Sequence, residues 1–193
     1  MRVVLAGLAI ADPPELWRAL GFSISDGDRV VLKGVELVLG VAGHGITRWT
    51  LRHASPDADI DGLPTSVTNH GPPPTGGVHP NGAIGIDHVV IVTPDFDRSA
   101  AALAERDLEL RRIRQAGNRR QGFRRLGPTI MELVEAPEAS APRFWGLTIV
   151  VADLGALGPH VGEPRAAVQA GRRIATVGAS AGLSTRLAFM DPE

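Results

Sequence analysis

IGIDHVVIVTPD, residues 84 to 95, is the stretch on which the fold turns. Ile86 to Val92 is a β-branched run and predicts a strand, which Thr93-Pro94-Asp95 stops. Asp95 or Asp97 then caps a helix over Ser99 to Arg106, where Ala and Leu dominate. Leu110 to Arg114, Gly122 to Leu126 and Thr129 to Val134 follow as strands, with Gly117-Asn118 as the hairpin turn. The order is βαβββ. Its first strand carries His88, and its last, within PTIMELVEAP, carries Glu132, 44 residues on (132 − 88 = 44).

The same order returns on both sides. From Phe144, GLTIVVADLGAL predicts a strand and a stunted helix, followed by strands at Arg165 to Val168, Arg172 to Val177 and Arg186 to Met190. Upstream, VVLAGLAIAD predicts a strand, and PPELWRALGF a helix that starts at Pro13 or Pro14 and aligns Leu16, Trp17 and Leu20 on one face. Phe22 to Ser25, Arg29 to Leu32 and Val35 to Leu39 then read as strands. Between the halves, residues 63–83 hold Pro72, Pro73, Pro74 and Pro80 with several glycines and no apolar period, which predicts a linker or long surface loop rather than a helix or central strand.

An internal offset supports duplication. Glu36-Leu37-Val38 recurs as Glu132-Leu133-Val134, and a Trp follows 13 residues later in each copy (49 − 36 = 13; 145 − 132 = 13). ITRWTLR, residues 46–52, therefore reads as the opening of a further unit cut short before the linker. The expected organisation is an N-terminal βαβββ-like unit plus a truncated second unit over 1–62, a linker over 63–83, and two βαβββ units over 84–137 and 144–192.

Composition narrows the function classes. A 193-residue chain with 44% hydrophobic residues can bury a sizeable core. Its formal net charge of −1 creates no global attraction to nucleic acid or an anionic membrane. Without cysteine it has no disulfides, thiolate metal sites or cysteine nucleophiles. Val3 to Ala11, nine apolar residues after a single Arg, is too short to span a bilayer and a weak secretory signal, so a cytoplasmic location is expected, with neither membrane nor nucleic acid as partner. Nineteen of the 20 basic residues are Arg, Lys33 being the exception, a coding bias that lowers the weight of any single surface Arg.

From Ile84 to Pro192 the chain resembles the vicinal oxygen chelate superfamily, which includes glyoxalases, bleomycin-resistance proteins and extradiol dioxygenases. The resemblance implies an α+β fold of repeated βαβββ units, forming curved, half-open mixed sheets around a pocket with helices outside. It also implies that the first strand of a unit offers His and the last offers Glu, positions matched here by His88 and Glu132. Such ligands suit one divalent metal (Zn, Ni, Mn or Fe), on which two adjacent substrate oxygens would chelate.

The final unit breaks that pattern. Aligning Asp153 with Asp95 sets Gly146 opposite His88, and Leu187, Ala188 and Phe189 stand where Glu is needed. Two sources would complete the shell: Glu36, if the first and second units share a cleft, or a homodimer pairing two copies of the second unit. Alternatively His88 is a strand residue hydrogen-bonded to backbone and Glu132 a solvated or Arg-paired carboxylate. Alternation puts Ile86, His88 and Val90 on one face of their strand and Ile130, Glu132 and Val134 on one face of theirs, so His88 and Glu132 are expected to converge.

The function that follows is binding of a small organic ligand in a concave pocket without a full metal site. A metal-dependent lyase, isomerase or dioxygenase acting on vicinal oxygens is the alternative. Trp145, Phe123 and Arg124 are the candidate ligand contacts, Arg124 for a carboxylate or phosphate. Phe144, Trp49 and Phe189 are candidates for pocket wall or core. RRIRQAGNRRQGFRR, Arg111 to Arg125, packs seven Arg into a hairpin and reads either as a solvated edge that resists aggregation or as an anion-reading rim. Gly178-Ala179-Ser180-Ala181-Gly182 matches G-x-S-x-G, but strand-like sequence and no His follow it, which predicts a turn.

Overall fold

The computed structural model describes residues 2–54, 58–72 and 77–192. Strands outnumber helices throughout. The chain opens with β1 (Val4–Ile10), α1 (Pro14–Ala19), β2 (Arg29–Leu32), β3 (Val35–Leu39), β4 (Ile46–Arg52) and β5 (Thr65–Thr68). These strands form a five-stranded mixed sheet in the order β2-β3-β1-β4-β5.

The remainder builds a larger sheet. β6 (Ala83–Thr93), α2 (Phe96–Ala104), β7 (Arg112–Ala116), β8 (Arg119–Leu126) and β9 (Thr129–Glu135) make one βαβββ unit. β10 (Arg143–Val151), a single 3-10 turn at Leu154–Ala156, β11 (Arg165–Ala166), β12 (Arg173–Thr176) and β13 (Arg186–Met190) make the other. The units join through antiparallel β6 and β10 into an open eight-stranded sheet, β11-β12-β13-β10-β6-β9-β8-β7. In each unit the first strand runs parallel to the last, β6 beside β9 and β10 beside β13.

Local chemistry explains the punctuation. The Asp95 side chain accepts the backbone N–H of Arg98 at 3.0 Å and caps α2, so the nearer of the two candidate aspartates is the cap. Gly117, with φ +62, turns β7 into β8, a conformation L side chains avoid.

Two expectations need correction. Phe22 to Ser25 forms no strand, apart from an isolated bridge between Ser25 and Arg29. Gly21 (φ +82) and the Asp26-Gly27 turn bend the chain at both ends, and the Ser23 N–H goes to His79 Nδ1 at 3.1 Å instead of to a neighbouring strand. Within 63–83, Thr65–Thr68 is an edge strand, parallel to β4 and fixed where Trp49 Nε1 donates to Thr65 Oγ1 at 2.7 Å. Residues 73–76 of the proline-rich run lie outside the described residues.

One core joins the two sheets. Trp49 on β4 meets Phe144 edge to face at 5.5 Å, and Phe22 stacks on Phe189 at 6.0 Å. Trp49 and Phe189 are fully buried and Phe144 nearly so, which makes all three core residues and not pocket wall. Ile86, Val89 and Ile91 of β6, with Met131 and Leu133 of β9, face the same interior, leaving the opposite face of the large sheet open. Polar bonds tie the halves as well. Asp12, 1% exposed, accepts the Ser184 N–H at 2.5 Å, the Ser184 hydroxyl at 2.6 Å and the Thr185 N–H at 3.2 Å. Among the described residues no helix is long and apolar enough to cross a membrane.

Candidate ligand site on the open face of the large sheet

Strand register lays the site out in rows. Arg125, Ile130, His88 and Thr148 are successive partners across β8, β9, β6 and β10. Arg112, Phe123, Glu132 and Val90 form the next row across β7, β8, β9 and β6. Paired residues share a face, so both rows lie on the open side of the sheet. A cavity of about 1120 Å³ lies over Arg125, Ile130 and His88 of the first row and Arg112, Phe123 and Glu132 of the second, walled also by Arg165 and Val168 of the far unit and by Arg2 and Val4 at the start of the chain.

His88 and Glu132 converge, 3.9 Å apart between Nε2 and Oε2. The strand beneath them is irregular. Register slips between Thr148/His88 and Ile149/Ile86, which makes Asp87 the extra residue of a β-bulge. Ile86 consequently joins Val89 and Ile91 in the core, instead of sharing the His88 face as strict alternation predicts. The bulge also brings Asp87 to its neighbour, where Oδ2 accepts from His88 Nδ1 at 2.8 Å. A carboxylate only accepts, so Nδ1 carries the hydrogen, and Nε2 lies 3.0 Å from the Thr148 hydroxyl, an acceptor in the neutral ring and a donor in the imidazolium.

Behind Asp87 lies Arg172, buried like its partner, with Nη1 donating to Asp87 Oδ1 at 2.7 Å and Nε to the Asp191 carbonyl at 2.8 Å. Burial pushes the Asp87 carboxyl up, but hydrogen bonds from His88 and Arg172 outweigh it and hold Asp87 below the ordinary aspartate range. Glu132 goes the other way: burial raises it, against the opposing pull of His88 and Arg114.

A raised folded value makes this group's contribution to stability complete below its ordinary value of 4.5 and lost as pH rises through the folded value. Glu132→Gln is therefore expected to raise the melting temperature at pH 7 by about 2 °C. The gain should vanish below pH 4.5, and a thermal melt at each pH that showed no such difference would mean that water already solvates the carboxylate.

The other sequence-predicted residues separate. Phe123 lies in the cavity wall with the Arg114 guanidinium 5.0 Å from its ring centroid. Arg124 also borders the cavity, although its Nη2 is held by the Asp107 carbonyl at 2.9 Å. Trp145 is not part of the wall; it is 41% exposed, and Arg186 covers its ring at 5.0 Å. Glu36 stays on the five-stranded sheet, paired with Arg29 at 2.6 Å, and is not brought to His88. Ser180 sits on a single 3-10 turn, Ala179–Ala181. Its hydroxyl is 3.3 Å from His160 Nδ1 at the surface, with no carboxylate bonded to that imidazole among the described residues. Sequence reading missed Asp87, Thr148 and Arg172 altogether.

No protein-family model matches the chain, and no curated protein matches it. Solved structures do. A mutant of 4-hydroxymandelate synthase from Streptomyces coelicolor aligns over 98% of this chain and 92% of that one, at 14% identity and a TM-score of 0.67. Methylmalonyl-CoA epimerase from Mycobacterium tuberculosis covers 58% of this chain and 91% of its own, at 17% identity and a TM-score of 0.47. The chain has the vicinal oxygen chelate fold.

Whether its residues suit the divalent metal that the sequence resemblance implies is a question of donors. The antiparallel β6/β10 pairing, Thr148 with His88 and Gly146 with Val90, relates the two units and sets Gly146 where the first unit has His88. Ala188 pairs with Thr148 as Glu132 pairs with Val90, so it holds the second ligand's place. A Cβ built on Gly146 would lie 2.4 Å from the Arg186 carbonyl oxygen, so that position has no room for any side chain. Among the described residues no three His, Cys, Asp or Glu side chains group to hold an ion. His88 and Glu132 are two donors where open catalytic sites use three or four, and the residues present do not fit a full metal shell.

Proposed function

We propose that this chain binds a small organic ligand in the open-face cavity, without a complete metal site. The observation carrying the reading is a cavity of about 1120 Å³ whose floor holds His88 and Glu132 while their counterparts in the other unit are Gly146 and Ala188. Concave, mixed polar and apolar cavities of this size suit small molecules. Val4, Ile130, Phe123, Ile174 and Met190 supply apolar surface, and His88 Nε2 and the Glu132 carboxyl supply direction.

One feature favours the alternative, a metal-dependent lyase, isomerase or dioxygenase acting on vicinal oxygens. Asp87 holds the Nδ1 hydrogen of His88, which in the neutral ring leaves Nε2 free, as outer carboxylates do for metal-bound imidazoles. Elemental analysis of protein purified without a chelating tag separates the two. Metal well below one ion per chain, unchanged in His88→Ala, is expected, together with slow turnover of a hemithioacetal in added Zn, Ni, Co or Mn. Stoichiometric metal that is lost in His88→Ala would establish the alternative.

A further inference from the structure

Seven arginines border the cavity, Arg2, Arg111, Arg112, Arg114, Arg124, Arg125 and Arg165, against one carboxylate, Glu132. The whole chain has a formal net charge of −1, so this concentration of cations is local. Coding bias accounts for the abundance of arginine but not for the gathering of seven around one cavity. Outside the cavity, Arg29, Arg98, Arg119, Arg120, Arg172 and Arg173 each form an ion pair with an aspartate or glutamate, whereas Arg18, Arg48, Arg52, Arg143 and Arg186 form none among the described residues. Of the seven around the cavity only Arg111 forms one, with Glu109. Arg114 is held by the neutral Gln121 side chain, and Arg124 by backbone carbonyls. Arg2, Arg112, Arg125 and Arg165 have no carboxylate partner among the described residues.

These four come from separate places: the start of the chain, β7, β8 and β11 of the opposite unit. Register places Arg112 beside Phe123 and Arg125 beside Ile130, so each cation stands at the edge of an apolar patch. Like charges gathered round one cavity repel one another, and an anion that enters relieves the repulsion. Guanidinium groups also match the oxygens of carboxylate and phosphate in paired hydrogen bonds.

We propose, on the basis of the small-molecule reading above, that this collar selects a ligand with an apolar body and a dianionic headgroup of the phosphate-ester kind. The body lies on Phe123, Ile130, Ile174 and Met190, and the headgroup is held by Arg112 and Arg125 with Arg165 closing from the far unit. A nucleic acid strand is the poorer fit, because among the described residues Phe123 is the only Phe, Tyr or Trp in the wall on which a base would stack.

Titration calorimetry with 1-naphthyl phosphate, 1-naphthoate and 1-naphthol tests this. The phosphate is expected to bind at least about tenfold more tightly than naphthol, with the monoanionic naphthoate between. The advantage should fall several-fold when salt rises from roughly 20 to 200 mM. It should disappear in the Arg112→Gln/Arg125→Gln double variant, which changes two exposed side chains. Ile130→Trp should block all three probes; Ala167→Trp on the opposite wall repeats the test should the first variant unfold. Equal binding of naphthol and the phosphate, blocked by Ile130→Trp, would overturn the collar and leave the small-molecule cavity standing. Absence of binding by every probe would overturn both. An oligothymidylate that binds more tightly than naphthyl phosphate and ignores Ile130→Trp would assign the cations to nucleic acid and overturn the proposal.

Discussion

Arg172→Ala is expected to cost about 3–5 kcal/mol of folding stability, because it leaves the Asp87 charge buried without its cation. The corresponding fall in melting temperature is about 10 °C for a chain of this size. The pH dependence follows from Asp87, whose folded value lies below the ordinary 3.8. Stability from a depressed carboxyl is present above the unfolded value and is lost as pH falls through the folded one. The gap between wild type and Arg172→Ala should thus be full at pH 7 and close as pH drops below 3.8. The double variant Asp87→Asn/Arg172→Met should recover much of the loss, since no charge is then buried alone. Urea unfolding measures all three proteins, and a single-variant loss under about 1 kcal/mol would mean that water reaches Asp87.

Asp12→Ala should cost about 3 kcal/mol, through the two buried or half-buried amides and the hydroxyl that its carboxylate satisfies at Ser184 and Thr185. Asp12 belongs to the segment between β1 and α1, and Ser184 and Thr185 lead into β13. The lesion therefore loosens the attachment between the sheets more than either sheet itself. Hydrogen exchange at the Ser184 and Thr185 amides should accelerate well before the β6 and β10 amides do, whereas uniform acceleration would argue against this attachment.

The sequence made the fold legible because each βαβββ unit repeats its order with strong punctuation, from the Thr93-Pro94-Asp95 stop to the Gly117 turn. Phe22 to Ser25 misled because its apolar content matches a strand, while its backbone partner, His79, lies 56 residues away along the chain. The site was half legible. His88 and Glu132 were visible as strand residues with matching parity. Asp87 was hidden because alternation assigns it to the opposite face, and a bulge depends on how β10 pairs, which a single strand does not reveal. Arg172 has no sequence signature at all; distance along the chain conceals its contact with Asp87. Trp145 followed the common expectation that a large aromatic beside a pocket lines it, and β10 bulges there too, between Phe144 and Gly146.

The crowding at Gly146 bears on how such a site changes over evolutionary time. With the Arg186 carbonyl 2.4 Å from any Cβ placed there, a point mutation to histidine would have to displace β13 before it could supply a ligand. Ala188, the matching place for a carboxylate, lies on that same strand. Placing metal ligands at both positions would thus require a concerted backbone shift of β10 and β13 rather than stepwise substitution.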